Sequence, residues 1–116
     1  MKIEEVIKLI DGKILVGEDE PDCNIEKVVA SDLMSDVLAF AEPGSMLVTG
    51  LSSPQSVRTA NVVGIPVVVI VRKKEVFEET TKAAETVGVT LIVTEKPLFE
   101  VCGVLYKAGL KPIVGR

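Results

Sequence analysis

The stretch Ser45–Arg72, SMLVTGLSSPQSVRTANVVGIPVVVIVR, constrains the fold of this chain more than any other. Met46-Leu47-Val48 is a short apolar run, and Val67–Val71 is an unbroken run of β-branched residues. Such runs suit strands buried on both faces, as in a parallel sheet. Between them, Thr49-Gly50 and Ser52-Ser53-Pro54 signal a turn and a helix start, and Gly64 signals the helix end. Parallel neighbours need a crossover, and a strand–helix–strand crossover is right-handed. The expected class is therefore α/β, a small Rossmann-like three-layer domain with a mostly parallel sheet.

The pattern recurs. Ala60–Val69 and Ala84–Val93 line up as a helix end, a capping glycine (Gly64, Gly88) and a buried strand. That reads as two successive α/β units on one sheet. At 116 residues the chain is expected to form a single domain spanning 1–116. Only 3% of residues are aromatic, so the core must be aliphatic.

The flanking segments complete the layers. Ile3, Val6, Ile7 and Ile10 make one face of an amphipathic helix, with Gly12 expected as its C-cap. Lys13–Gly17 and Ile25–Ala30 read as strands, and Glu18–Asn24 between them as an acidic loop without EF-hand spacing. Ser31-Asp32 is expected to cap the short helix LMSDVLAFA. A helix over Glu75–Val87 would turn Phe77, Thr80, Ala84 and Val87 inward. The helix after Pro97 would bury Leu98, Val101, Cys102 and Leu105. The closing KPIVGR reads as a frayed or docking tail.

Composition excludes several functions. The formal net charge is −4, and the single basic run, Arg72-Lys73-Lys74, is followed at once by Glu75. With no Trp and one Tyr, nucleic acid is not an expected partner. The longest apolar stretch, Ile65–Val71, falls far short of the ~20 residues a membrane span needs. Charges interrupt MKIEEVIKLIDG, so it is not a signal peptide; a cytoplasmic protein without membrane contact is expected. The absence of His removes Ser-His triads and His metal sites. Cys23 and Cys102 form neither a disulfide framework nor a zinc or iron–sulfur set, so no cofactor or metal is expected. Cys102, on an apolar helix stripe, reads as a structural thiol. The carboxylates around Cys23 disfavour a thiolate there.

In an open parallel sheet, ligands bind beyond the carboxyl ends of the strands, where helix N-termini aim free N–H groups. Here that rim would carry Thr49, Gly50, Ser52, Ser53 and Gln55 from one loop, Arg72 and Lys73 from the next, and Thr94, Glu95 and Lys96 from the third. Hydroxyls, amides and cations in this arrangement suit a phosphate or carboxylate. The plainer alternative is that the hydroxyls only cap helices. Neither P-loop nor GxGxxG spacing is present. A secondary candidate is Ser31, Asp32, Ser35 and Asp36. Its two carboxylates lie one turn apart, and the alternative is again capping.

Ser31-Asp32-Leu33-Met34-Ser35-Asp36-Val37, the strand end Leu47-Val48-Thr49-Gly50 and the helix Phe99-Glu100-x-Cys102-Gly103 occur in an order and spacing that resemble the DRTGG-domain family, in particular its small stand-alone bacterial members. The resemblance runs from the first helix to Leu110. Thr49-Gly50 is followed by Leu51 rather than a second Gly, and no Asp-Arg-Thr precedes it. The family accompanies phosphotransacetylases and CBS domains and looks like the N-terminal domain of the HPr kinase/phosphorylase. Those relatives imply a Rossmann-like fold and a regulatory or ligand-sensing role without catalysis. The expected function is thus a non-catalytic module that binds a small anionic metabolite or nucleotide, or docks on a partner enzyme, as a homodimer. The alternatives are a structural homodimeric subunit accessory to a redox or hydrogenase system, which stand-alone relatives suggest, and a phosphotransfer enzyme.

Overall fold

The computed structural model describes residues 1–17 and 23–114. In chain order the elements are α1 (Ile3–Ile10), β1 (Lys13–Val16), β2 (Lys27–Ala30), α2 (Met34–Phe40), β3 (Met46–Thr49), α3 (Pro54–Val63), β4 (Val67–Ile70), α4 (Glu78–Val87), β5 (Thr90–Val93), α5 (Leu98–Lys107) and β6 (Lys111–Pro112). They form one sheet in the order β1-β5-β4-β3-β2-β6. β2, β3, β4 and β5 run parallel, with Met46 opposite Val67 and Val68 opposite Leu91. The apolar runs that read as strands buried on both faces are such strands: every residue of β3, β4 and β5 is buried. The antiparallel member is β1, which pairs with β5 at one edge.

Helices cover both faces. Ile3, Val6 and Ile10 of α1 and Val101 and Leu105 of α5 pack with Met46, Val48, Val67, Val69 and Ile92. On the other face Val37 of α2, Val57 and Ala60 of α3 and Ala84 of α4 pack with Leu47, Val68, Ile70, Leu91 and Val93. Adjacent strand residues point to opposite faces, which is why Leu47 and Val48 fall in different layers. The repeated unit is also present. Gly64 and Gly88 close α3 and α4 at φ 80° and 75°, a conformation that costs a side chain about 1–2 kcal/mol.

Several local expectations need correction. Asp11, not Gly12, takes the left-handed C-cap of α1 (φ 51°). Gly12 lies against the core, where a Cβ would come 3.0 Å from Ile92 Cγ2. Leu33 is the N-cap of α2, with no side-chain cap bond. Ser31 Oγ accepts the Leu33 N–H in a local turn (3.0 Å), and Asp32 is turned elsewhere. α4 starts at Glu78, so Phe77 is its N-cap and is exposed, while Val76 packs inward. Of the two readings of the closing segment, frayed or docking, its described part follows the second. Lys111 N–H donates to Glu26 O at 3.0 Å and Ile113 N–H to Val28 O at 3.3 Å, with Leu110 buried as anchor. The acidic loop over 18–22 and the last two positions lie outside the described residues.

Candidate functional site

Because β3, β4 and β5 are parallel, their following loops leave at one rim. The ladder continues into those loops: Val71 N–H donates to Thr49 O (3.0 Å), Arg72 N–H to Lys96 O (3.1 Å) and Lys73 N–H to Thr94 O (3.0 Å). Arg72 does this in the left-handed region, at φ 58°, which is uncommon for a side chain of its size. The turn after β4 is thereby stitched to the one after β5, and the Arg72 and Lys73 side chains are left exposed. Among the described residues neither has an ion-pair partner. They border a cleft of about 680 Å³ whose other walls include Asp32, Gly50 and the start of α5 at Pro97, Leu98 and Phe99. α5 has Pro97 as its N-cap and no side-chain cap bond, which leaves the first N–H groups of the helix without a capping side chain among the described residues.

Asp32 fastens the β3 side of the cleft. Its Oδ1 accepts the Gly50 N–H at 2.6 Å and the Thr49 hydroxyl at 3.1 Å. A Cβ on Gly50 would stand 3.3 Å from both carboxylate oxygens, so the close approach uses the bare glycine backbone. Asp32 from the secondary candidate set and Gly50, Arg72 and Lys73 from the primary set therefore share one cleft.

The remaining candidates are placed as follows. Thr49 is buried, and its hydroxyl bonds Asp32 and the Leu51 N–H. Ser52 is half-buried, and its carbonyl accepts the Thr80 hydroxyl at 2.7 Å. Ser53 is the N-cap of α3 without a side-chain bond, and Gln55 is exposed on that helix. Thr94 is buried, and its hydroxyl donates to Ile10 O at 2.6 Å, tying β5 to α1. Lys96 pairs with Glu100 (3.1 Å) and Asp11 (3.6 Å), and the Glu100 carboxylate holds its ammonium above the usual range. Glu95 sits beside Lys74 at 3.9 Å. Ser35 and Asp36 are exposed on α2, outside the cleft lining.

The sequence reading missed a second hollow. Between α5 and the β2–β6 edge lies an apolar groove of about 510 Å³. Phe99 lines both it and the rim cleft. One signal was available: Gly103 interrupts a helical pattern, which costs about 1 kcal/mol and calls for a reason. Cys102 faces this groove, half-buried, and burial pushes its thiol pKa up. Among the described residues no group of His, Cys, Asp and Glu could hold a metal ion, and no helix is long and apolar enough to cross a membrane.

Fold and cleft define an α/β domain with a ligand-sized hollow at its strand-exit rim. Its architecture is similar to the solved CBS and DRTGG domains of the regulatory region of Clostridium perfringens pyrophosphatase, complexed with the activator diadenosine tetraphosphate. The TM-score is 0.75 over 94% of this chain, at 12% identity, so the likeness is one of fold. The chain spans 47% of that structure's length. No family model and no curated protein matches it.

Proposed function

We propose that this chain is a non-catalytic regulatory module of DRTGG type that binds a small phosphorylated metabolite or nucleotide in the rim cleft. The observation that carries this reading is the pairing of two cations with no ionic partner among the described residues, Arg72 and Lys73, with a helix start that lacks a side-chain cap, in one polar cleft. An anion there would gain a charge-assisted bond from the guanidinium and the favourable end of the α5 dipole, the latter about 0.3–2 kcal/mol. Asp32 opposes it with one negative charge, but its acceptor oxygen Oδ1 is engaged by Gly50 and Thr49. The C. perfringens regulatory region of similar fold is complexed with a nucleotide activator, which supports a sensing role.

Differential scanning fluorimetry with inorganic phosphate, pyrophosphate and AMP tests it. A ligand at ten times its Kd stabilises the fold by about 1.4 kcal/mol. For a domain of this size that raises Tm by about 5 °C. At least one probe at about 10 mM should do so, and the double variant Arg72→Ala/Lys73→Ala should lose the response. No rise with any probe, or a rise that survives the double variant, would refute the reading.

A further inference from the structure

The groove between α5 and the β2–β6 edge follows from how the helices are laid. On its face of the sheet, α1 and α5 cover the strands from β1 to β3, and β2 and β6 extend beyond them. One wall is aliphatic, with Val28, Leu110, Pro112 and Ile113. The other is the outer face of α5, and it is built differently. Phe99 and Tyr106 are 90% and 71% exposed, two helical turns apart, about 10.5 Å along the axis. Gly103 lies between them in the helix interior, and a Cβ there would meet no atom within 4 Å. Internal packing therefore does not require a glycine at this position. The bare backbone leaves a slot flanked by two rings and the Cys102 sulfur.

These three neighbours favour an aromatic occupant over an aliphatic chain. Rings gain about 0.5–1.5 kcal/mol from other rings beyond area burial, and thioether or thiol sulfur is favourable at a ring edge. The groove volume falls within the range of small-molecule sites. A second copy of the chain fits less well. Phe99 and Tyr106 together offer about 300–500 Å² of side-chain surface, against the ~800 Å² each partner of a stable dimer buries. Edge pairing on β6 is blunted by Pro112, which has no N–H to donate. Phe99 borders both hollows, so an anion at Arg72 can carry a ring that continues along α5. The polar side-chain atoms of the groove lie on Tyr106, Lys111 and Cys102, leaving the edge of a heteroaromatic ring two donors at the end away from the cleft.

We infer that the ligand is a nucleoside phosphate whose phosphate lies at Arg72 and whose base occupies the α5 groove over Gly103. This rests on the rim reading above for the phosphate half; the base half has its own test. Gly103→Leu fills the slot in a helix that has room for the side chain, so the variant should fold with an unchanged or higher Tm.

Titration calorimetry with AMP, GMP, CMP and UMP, the matching nucleosides and inorganic phosphate separates the two halves. In the unaltered chain at least one nucleotide should bind tenfold or more tightly than phosphate. Gly103→Leu should erase that advantage and leave phosphate binding as it was, while Arg72→Ala should weaken phosphate and nucleotide alike. Equal binding of nucleotides and phosphate, or a nucleotide advantage that survives Gly103→Leu, overturns the inference while the rim reading stands. Nucleoside binding lost in Gly103→Leu, with no phosphate binding at all, supports the groove and sinks the rim reading. A sedimenting dimer that Gly103→Leu converts to monomer overturns the inference in favour of a self-association face.

Discussion

Gly103→Ala should stabilise this protein. Gly103 is the sixth residue of the ten-residue helix α5, away from both caps. It is exposed, its φ is not in the left-handed region, and a Cβ would meet nothing within 4 Å. The substitution therefore adds no overlap and removes backbone freedom from the unfolded chain. A glycine in a helix interior is about 0.8–1.0 kcal/mol worse than alanine, and that difference should appear almost whole. For a domain of this size about 1 kcal/mol raises Tm by about 4 °C. Calorimetric or dichroism melts of the two chains at several protein concentrations make the comparison. A Tm that falls, or that fails to rise, would mean that α5 is packed against something at Gly103 in the free protein. The open groove would then be wrong.

Three further outcomes follow from the contacts. Asp32→Ala removes the acceptor of the Gly50 N–H and of the buried Thr49 hydroxyl. It should cost about 2–3 kcal/mol in urea unfolding, with Asp32→Asn milder, and a change below about 0.5 kcal/mol would show that the fastening is not needed. Glu42 accepts the Val114 N–H (2.7 Å) and pairs with Lys27 (3.0 Å); these, the amide first, hold its carboxyl below the usual range. Its contribution is thus present above about pH 4.3 and lost as pH falls through the lower folded value. The protection factors of the Ile113 and Val114 amides, each taken against intrinsic exchange at the same pH, should fall in Glu42→Gln at neutral pH and in the unaltered chain under acid; unchanged protection in both would refute the clamp. Burial raises the Cys102 thiol pKa, so iodoacetamide at neutral pH should modify it much more slowly than in the urea-unfolded chain, read by peptide mass spectrometry. Equal rates would contradict the burial of Cys102.

What was legible in the sequence was local. β-branched runs and glycine punctuation located β3, β4 and β5 and the ends of α3 and α4, because burial on both faces and a left-handed cap leave a mark in consecutive residues. Partners far along the chain leave none. The sequence reading assigned Asp32 to its own helix, since a carboxylate before an apolar-periodic segment resembles an N-cap; the structure gives it to Gly50, eighteen residues on. Thr94 resembled a rim hydroxyl, yet it reaches Ile10 across the sheet edge. The direction of β1 and the recruitment of Lys111-Pro112 into the sheet depend on which edge is vacant, which no periodicity records. Phe77 was turned inward because the start of α4 was read three residues early, and each step along a helix turns a side chain by about 100°; it is Val76 that packs against the core.

The central claim is that the turn after β4 and the first turn of α5 together hold an anion. Amide shift mapping by NMR, with phosphate and then AMP added to about 10 mM, addresses it residue by residue. Saturable shifts should centre on Gly50, Arg72, Lys73, Leu98 and Phe99, with AMP extending them to Gly103. Shifts absent from these amides, or confined to the exposed face of α2 and α3, would contradict it.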